Sequence, residues 1–288
     1  MEYLIHLAVM SSIYAILGMS LNLVVGYAGL LSVTHAAFYG IGAYAVGILT
    51  VSHGYGFFGA TAIGMACAAL AAWFIGIVSG RFKGDYYALV SFGFNIIVFS
   101  IFLNVQSVTR GPLGIPGIPK PEVFGMLIRS NAQFLLLAIA FTLATYAVSQ
   151  WIVTSSFGRT LKGIREDEDA LRVFGYDTAR YKRIIFVIAA MLAAVGGSLF
   201  ASYISYIDPS TFSLNESIFI LSLVILGGLA NVNGSVFGAI FFILLPEILR
   251  FVGFPPDIAA QMRQVAYGLI LVLLMLYRPQ GMFGEYKL

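Results

Sequence analysis

Three histidines, His6, His35 and His53, and one cysteine, Cys67, are the chain's entire stock of soft metal ligands. They are scattered, so no His or Cys set falls at metal-ligand spacing, and a single cysteine excludes an intrachain disulfide. No nucleophile–base set stands at a recognisable catalytic spacing, and no G-x-x-x-x-G-K-[ST] phosphate loop is present. What the residue types do offer is hydrogen bonding where apolar runs are interrupted. Asn22, Gly26, Gly29, Ser32, Thr34 and His35 surround one interruption; Gly227, Gly228, Asn231, Asn233 and Ser235 surround another. His35 has two readings, a proton carrier or ligand contact and, more commonly for a lone histidine, a hydrogen-bonded structural residue. Glu216 and Glu247 are the candidate carboxylates at membrane depth. Both stand near predicted span ends, where a carboxylate can simply face the interface; a midplane charge would be a stronger functional sign.

The elements that must position these groups are set by composition. Of 288 residues, 60% are hydrophobic and 10% charged, against about 25% charged in a soluble domain. A mean hydropathy of +0.92 agrees. Lipid is the solvent that suits such a chain. The opening Met1-Glu2-Tyr3 lacks a basic signal-peptide region, so the first apolar run reads as a retained span.

Runs long enough to cross a bilayer cover 3–25, 55–79, 86–105, 131–153 and 184–207; shorter ones cover 36–51, 218–229, 236–249 and 264–277. The expected fold is an all-α polytopic bundle of eight or nine membrane segments forming one domain, 1–288, with a cytoplasmic loop at 154–183. Ala60, Gly64, Ala68, Ala72 and Gly76 recur every four residues, a small face for close helix packing inside the chain or between subunits. Cys67, in mid-span, is expected to be a small packing residue. Arg159, Lys162, Arg165, Arg172, Arg180, Lys182 and Arg183 crowd one loop, which the positive-inside rule places in the cytoplasm. Counting outward puts Arg81, Lys83, Arg278 and Lys287 inside and Arg110, Lys120, Arg129, Arg250 and Arg263 outside, with an external N-terminus and an internal C-terminus. The Pro- and Gly-rich stretch 111–119 cannot be a regular helix and is expected to form an ordered external cap.

Two stretches echo one another, 21–32 and 221–231: each is an apolar run ending in glycines and small polar residues, then a second Gly-containing run. Such paired interruptions mark transport pathways, because broken backbone at membrane depth survives only where protein or water satisfies it. Ordinary tight helical hairpins are the plainer explanation.

Between residues 157 and 175, Leu161, Ile164, Leu171 and Phe174 share one helical face, with Arg159, Lys162, Arg165, Glu166, Asp169 and Arg172 opposite. Glu168 falls inside the apolar sector, and Gly175 reads as the helix stop. Mixed charge argues against simple lipid adsorption, and an unpaired Glu168 would suit a groove on a protein partner.

This segment resembles the coupling segment of ABC importer permeases of the branched-chain amino acid, LivM type, at Phe157, Gly158, Arg159, Leu161, Ile164, Arg165, Glu166, Glu168, Ala170 and Gly175. It departs at Thr160, Gly163 and Leu171, where that family usually has alanine. The stretches 21–32, 35–44, 227–229 and 278–284 resemble the family too. The resemblance implies a permease that forms the translocation path with a LivH-type partner, two cytoplasmic ATPases that bind the ATP and Mg, and a periplasmic or lipid-anchored solute-binding protein. It implies a transport subunit of a bacterial or archaeal inner membrane, with no cofactor of its own, no metal and no nucleic acid. Path candidates are then Asn22, Gly26, Gly29, Ser32, His35, Gly227, Gly228, Asn231 and Asn233; ATPase contacts are the matched coupling residues with Leu171 and Phe174. An ion-coupled secondary transporter would call for more buried carboxylates than the chain offers; a family permease for urea, amides or another small polar solute is the other alternative.

Overall fold

In the computed structural model, the described residues are 2–79, 82, 84–123, 125–250, 265, 268–269, 272–273 and 281–284. Chain order runs α1 (Glu2–Asn22), a π-helical turn (Leu23–Tyr27), α2 (His35–His53), α3 (Phe57–Ser79), α4 (Asp85–Asn104) and α5 (Gln106–Thr109). A 3-10 turn (Gly111–Leu113) leads into the two-residue strands β1 (Ile115–Pro116), β2 (Glu122–Val123) and β3 (Met126–Leu127). Then come α6 (Asn131–Thr154), α7 (Ser156–Glu166), α8 (Glu168–Val173), α9 (Thr178–Ile204), β4 (Tyr206–Ile207), a 3-10 turn (Pro209–Phe212), α10 (Leu214–Gly227) and α11 (Val232–Arg250).

Among the described residues, six helices are long and apolar enough to span a bilayer: α1 with its π turn, α2, α3, α4, α6 and α9. A seventh span counts if α10 and α11 are taken together, but they are bent by 120° about 228–231. The expected count of eight or nine had taken these two limbs as separate segments, and its last segment, 264–277, falls largely outside the described residues. The chain is thus an all-α multi-pass membrane protein. At 1.5 Å per residue, the 14 residues of α10 reach only roughly 21 Å, short of the hydrocarbon thickness.

The core is the contact of α2 with α9, with α3 and α1 flanking. Backbones approach closely there: a Cβ on Gly42 would strike the Ala194 carbonyl, and one on Gly197 the Tyr39 carbonyl. The small ladder of α3 is wholly buried at Ala60, Gly64, Ala68, Ala72 and Gly76 and faces the chain's own α2 and α9. Cys67 does not pack there; it lies on the exposed face of α3, the outward side of the same helix as Leu70 and Phe74.

The Pro-Gly stretch is ordered by pairing. Ile115 and Pro116 lie antiparallel to Ile207 and Tyr206, and Gly117 and Ile118 donate backbone bonds to the Ser205 carbonyl at 3.0 and 3.2 Å. This closes one end of the bundle, the cap end, where Asn131 also donates to Glu2 at 2.8 Å. The opposite, basic end carries α7 and α8. Each helix there starts on a side-chain cap: Ser155 accepts from Gly158 N, Asp167 from Ala170 N and Asp177 from Arg180 N. Such caps satisfy the orphan N–H groups of the first turn.

Candidate functional site

The two echoing interruptions meet. Asn22, the last residue of α1, sits 1% exposed in the bend between α10 and α11. Its Nδ2 donates to the Asn231 carbonyl at 2.8 Å, to Ser235 Oγ at 2.7 Å and to the Gly228 carbonyl at 3.3 Å. Its Oδ1 accepts from Ala230 N at 3.0 Å. One primary amide thus satisfies the broken backbone of the second interruption. Gly26, one turn on, has no room for a Cβ, which would strike Asn22 Oδ1 and Ala230 N. Gly228 has φ +116, and its backbone runs against that of Gly284. Asn231 accepts from Gly234 N at 3.0 Å and donates to the Phe283 carbonyl at 2.8 Å. Asn233 is exposed and accepts from Tyr146 Oη at 2.7 Å. Gly227 is buried against Gly234.

The first interruption continues inward. From Ala28 to Thr34 the backbone is irregular, and side chains of α4, α10 and α1 bond to it and to the start of α2. Ser91 Oγ accepts from Val33 N at 3.1 Å, and Asn95 Nδ2 donates to the Val33 carbonyl at 3.1 Å. Ser217 Oγ accepts from Asn95 Nδ2 and from Ala36 N, both at 2.9 Å. Ser32 and Thr34 hydroxyls bond each other at 2.8 Å, and His35 Nε2 meets Ser20 Oγ at 3.1 Å. Ser32, Thr34 and His35 are buried, whereas Gly29 is exposed. Protein side chains satisfy the Val33 amide and carbonyl, one of the two ways such breaks persist at membrane depth.

Sequence reasoning missed Ser20, Ser91, Asn95 and Ser217. The available signal was polar residues inside apolar runs, with Ser91 and Asn95 four apart and so on one face of α4. Asn95 is near the middle of α4, roughly 15 Å from its start, and Ser217 bonds to it. Glu216, beside Ser217, accepts a 2.6 Å bond from Tyr14 Oη, itself near the middle of the long first span. Of the two readings of Glu216, a membrane-depth carboxylate or one facing the interface, this contact favours the first, because α10 begins within the bundle.

The basic loop grips the first interruption. Arg165 Nη1 donates to the Gly26 carbonyl, and its aliphatic stem lies over Gly29. Lys162 stands 5.6 Å from the centroid of the Tyr27 ring, a cation–π geometry. The expected single helix is two helices. At Asp167 the backbone turns to φ −150, ψ 95 because its carboxylate caps α8 in place of continuing α7. Leu161 and Ile164 are buried and Leu171 packs against the core, but Phe174 is 78% exposed. Phe157 stacks on Tyr181, Gly158 lies tight against the Val153 carbonyl, and Arg159 donates to the Thr154 carbonyl at 3.1 Å. Glu166 is exposed, Ala170 donates its N–H to Asp167, and Gly175 adopts φ +86 just after α8.

Glu168 is not unpaired. Lys182 Nζ bonds it at 2.6 Å, Arg172 Nη2 at 2.8 Å and Thr178 Oγ1 at 2.9 Å. Burial alone would raise its carboxyl, but hydrogen bonds from Lys182 and Thr178 and the charges of Lys182 and Arg172 outweigh it and hold the group below its ordinary value. Glu168 thus fastens α8 to the start of α9.

Comparison of the sequence with known proteins identifies relatives along nearly the whole chain. The family described as branched-chain amino acid transport system / permease component matches residues 3–277. The LivM permease protein of the high-affinity branched-chain amino acid transport system of Escherichia coli K12 is 33% identical, over 96% of this chain and 69% of its own. A probable branched-chain amino acid transport permease protein LivM of Methanocaldococcus jannaschii is 22% identical, over 95% and 91%. The LivH permease protein of Escherichia coli K12 is 25% identical, over 96% and 92%. No solved structure matches significantly. A helical bundle with two interruptions tied together and a basic loop seated on one of them, matched along nearly its whole length, belongs to the branched-chain amino acid permease family as an ABC transport subunit of the LivM type.

Proposed function

We propose that this chain is one of two related permeases lining the path of an ATP-driven importer of branched-chain amino acids, the other being LivH-like. Two cytoplasmic ATPases bind the ATP and Mg and dock on α7 and α8, and a solute-binding protein delivers substrate at the cap end. The basic end is cytoplasmic, which puts the N-terminus outside and the C-terminus inside. The chain itself holds no cofactor.

The observation that supports this best is a continuous chain of contacts. Arg165 on the loop holds the Gly26 carbonyl, Gly26 adjoins Asn22, and Asn22 holds the bend at 228–235. A displacement of the loop by ATPase closure would therefore reach both interruptions at once. The residues at these breaks are the path candidates, and most of them are buried or hydrogen-bonded in this conformation. Alternating access requires them to exchange these partners when the loop moves.

Reconstitution tests this. Substrate, presented by the binding protein, is expected to stimulate ATP hydrolysis and uptake in liposomes. Full uptake with hydrolysis-dead ATPases, driven by a proton or sodium gradient, would instead identify a secondary transporter.

A further inference from the structure

Glu216 is a carboxylate in mid-bundle with one hydrogen bond among the described residues, from Tyr14 Oη to Oε1 at 2.6 Å. Among those residues no lysine, arginine or histidine side chain bonds it, and its second oxygen takes no hydrogen bond. The side chain lines a cavity of about 480 Å³, within the range of roughly 300–1,000 Å³ typical of small-molecule sites. The wall is divided by chemistry. Ser213, Asn215 and Ser222 give polar groups beside Glu216, and Ile218, Phe219 and Phe242 give an apolar face. Phe219 is braced edge-on by Tyr14 and by Phe242, each at 5.4 Å between ring centroids.

A carboxylate at this depth is costly unless it meets a partner. Opening it onto lipid would leave it without one, so the cavity suits a cationic group that comes and goes. A zwitterionic aliphatic amino acid has the matching pattern, an ammonium within a few bonds of an apolar side chain.

We infer that Glu216 receives the α-ammonium group of such a substrate at a mid-membrane subsite, while Ile218, Phe219 and Phe242 take its aliphatic side chain. This rests on the reading of the chain as an amino-acid permease subunit. Tyr14 is a positioning residue that holds one carboxylate oxygen and leaves the other for the ligand.

The test uses the whole importer in liposomes with radiolabelled L-leucine. Glu216→Gln is expected to lower uptake at least about tenfold, the scale of one charged hydrogen bond, while the importer still assembles with its second permease. In the purified importer without its binding protein, L-leucine is expected to bind in preference to its deaminated 2-oxo analogue, a preference that disappears in E216Q. Tyr14→Phe is expected to raise the half-saturating substrate concentration several-fold. Wild-type uptake by E216Q would overturn the inference. Loss of pairing with the second permease in E216Q would overturn it too, by making Glu216 a subunit contact. Should E216Q fail to fold, unchanged uptake by Y14F would do the same. Failure of the broader reading shows differently, as a wild-type importer that takes up no aliphatic amino acid.

Discussion

Asn22 Nδ2 donates to the Asn231 backbone carbonyl at 2.8 Å across 209 residues of sequence. The same amide also serves Ser235, Gly228 and Ala230. A residue at the end of the first span thereby holds the bend of the last described hairpin in place. The two interruptions behave as one mechanical unit, and the loop contact from Arg165 to Gly26 attaches to it one turn away.

Asn22→Ala is expected to cost about 2 kcal/mol, since individual buried hydrogen bonds in membrane proteins are each worth well under that sum. Asn22→Asp is expected to be no milder. It keeps an acceptor for Ala230 N but sets oxygens against the Gly228 and Asn231 carbonyls. Thermal unfolding in detergent reads both, and a wild-type midpoint for Asn22→Ala would remove this residue from its place at the hub.

The α2–α9 contact gives a second expectation. Gly197→Val puts atoms where the Tyr39 carbonyl and Ala43 N now lie, and backbone cannot yield as a flexible side chain does. Overpacking of this kind costs about 3 kcal/mol or more, so folded yield should fall sharply. Gly93→Ala is the control: nothing stands within 4 Å of the added methyl, and alanine is the better helix former by about 1 kcal/mol. Equal yields of the two variants would contradict the packing described.

The Glu168 cluster predicts a pH dependence. Its carboxyl titrates below the ordinary value of 4.5 in the folded loop. The unfolded loop therefore takes up the proton first as pH falls, so the cluster's contribution is complete above about pH 4.5 and is lost as pH drops through the folded value. Hydrogen exchange of the 166–182 amides, corrected for intrinsic rate, should accelerate as pH falls below about 4.5. Glu168→Gln should remove most of that dependence. Lys182→Met should move it to higher pH, because the nearest cation is gone while burial remains.

Much of the fold was legible because lipid leaves few choices. Every backbone group in a span must be satisfied locally, so an apolar run of sufficient length is a helix. That is why α3, α4 and α6 fall where hydropathy puts them. The depth of Glu216 was not legible, since hydropathy cannot tell a helix that starts at the interface from one that starts halfway across. The break at Asp167 was present in the sequence as a capping residue three positions before Ala170, but the apolar period across it pointed to a single helix. Long-range partners such as Asn22 with Ser235, or Lys182 with Glu168, carry no local signal at all. The echo between 21–32 and 221–231 hinted at kinship of the two interruptions, not at their contact.

The last expectation concerns the exposed tip of the loop. Val173 is 87% and Phe174 78% exposed, beside a Glu168 cluster that holds α8 firmly to α9. Truncating side chains already in water removes little burial, so Val173→Ala and Phe174→Ala should leave the chain's own thermal midpoint unchanged. Leu161→Ala and Ile164→Ala, which empty buried positions, should lower it. If the ATPases dock here, an exposed aromatic is the natural anchor, and its truncation should cost about 2 kcal/mol, roughly thirtyfold in affinity. Phe174→Ala should then reduce ATPase co-purification and substrate-stimulated hydrolysis together. Glu168→Lys should reduce them as well, by releasing α8 and misplacing the anchor rather than by removing a direct contact. Charge reversal should also loosen hydrogen exchange across 166–182, whereas Phe174→Ala should not. Wild-type co-purification and transport in Phe174→Ala would move the docking surface off this tip, and protected exchange in Glu168→Lys would separate the carboxylate from the loop's position.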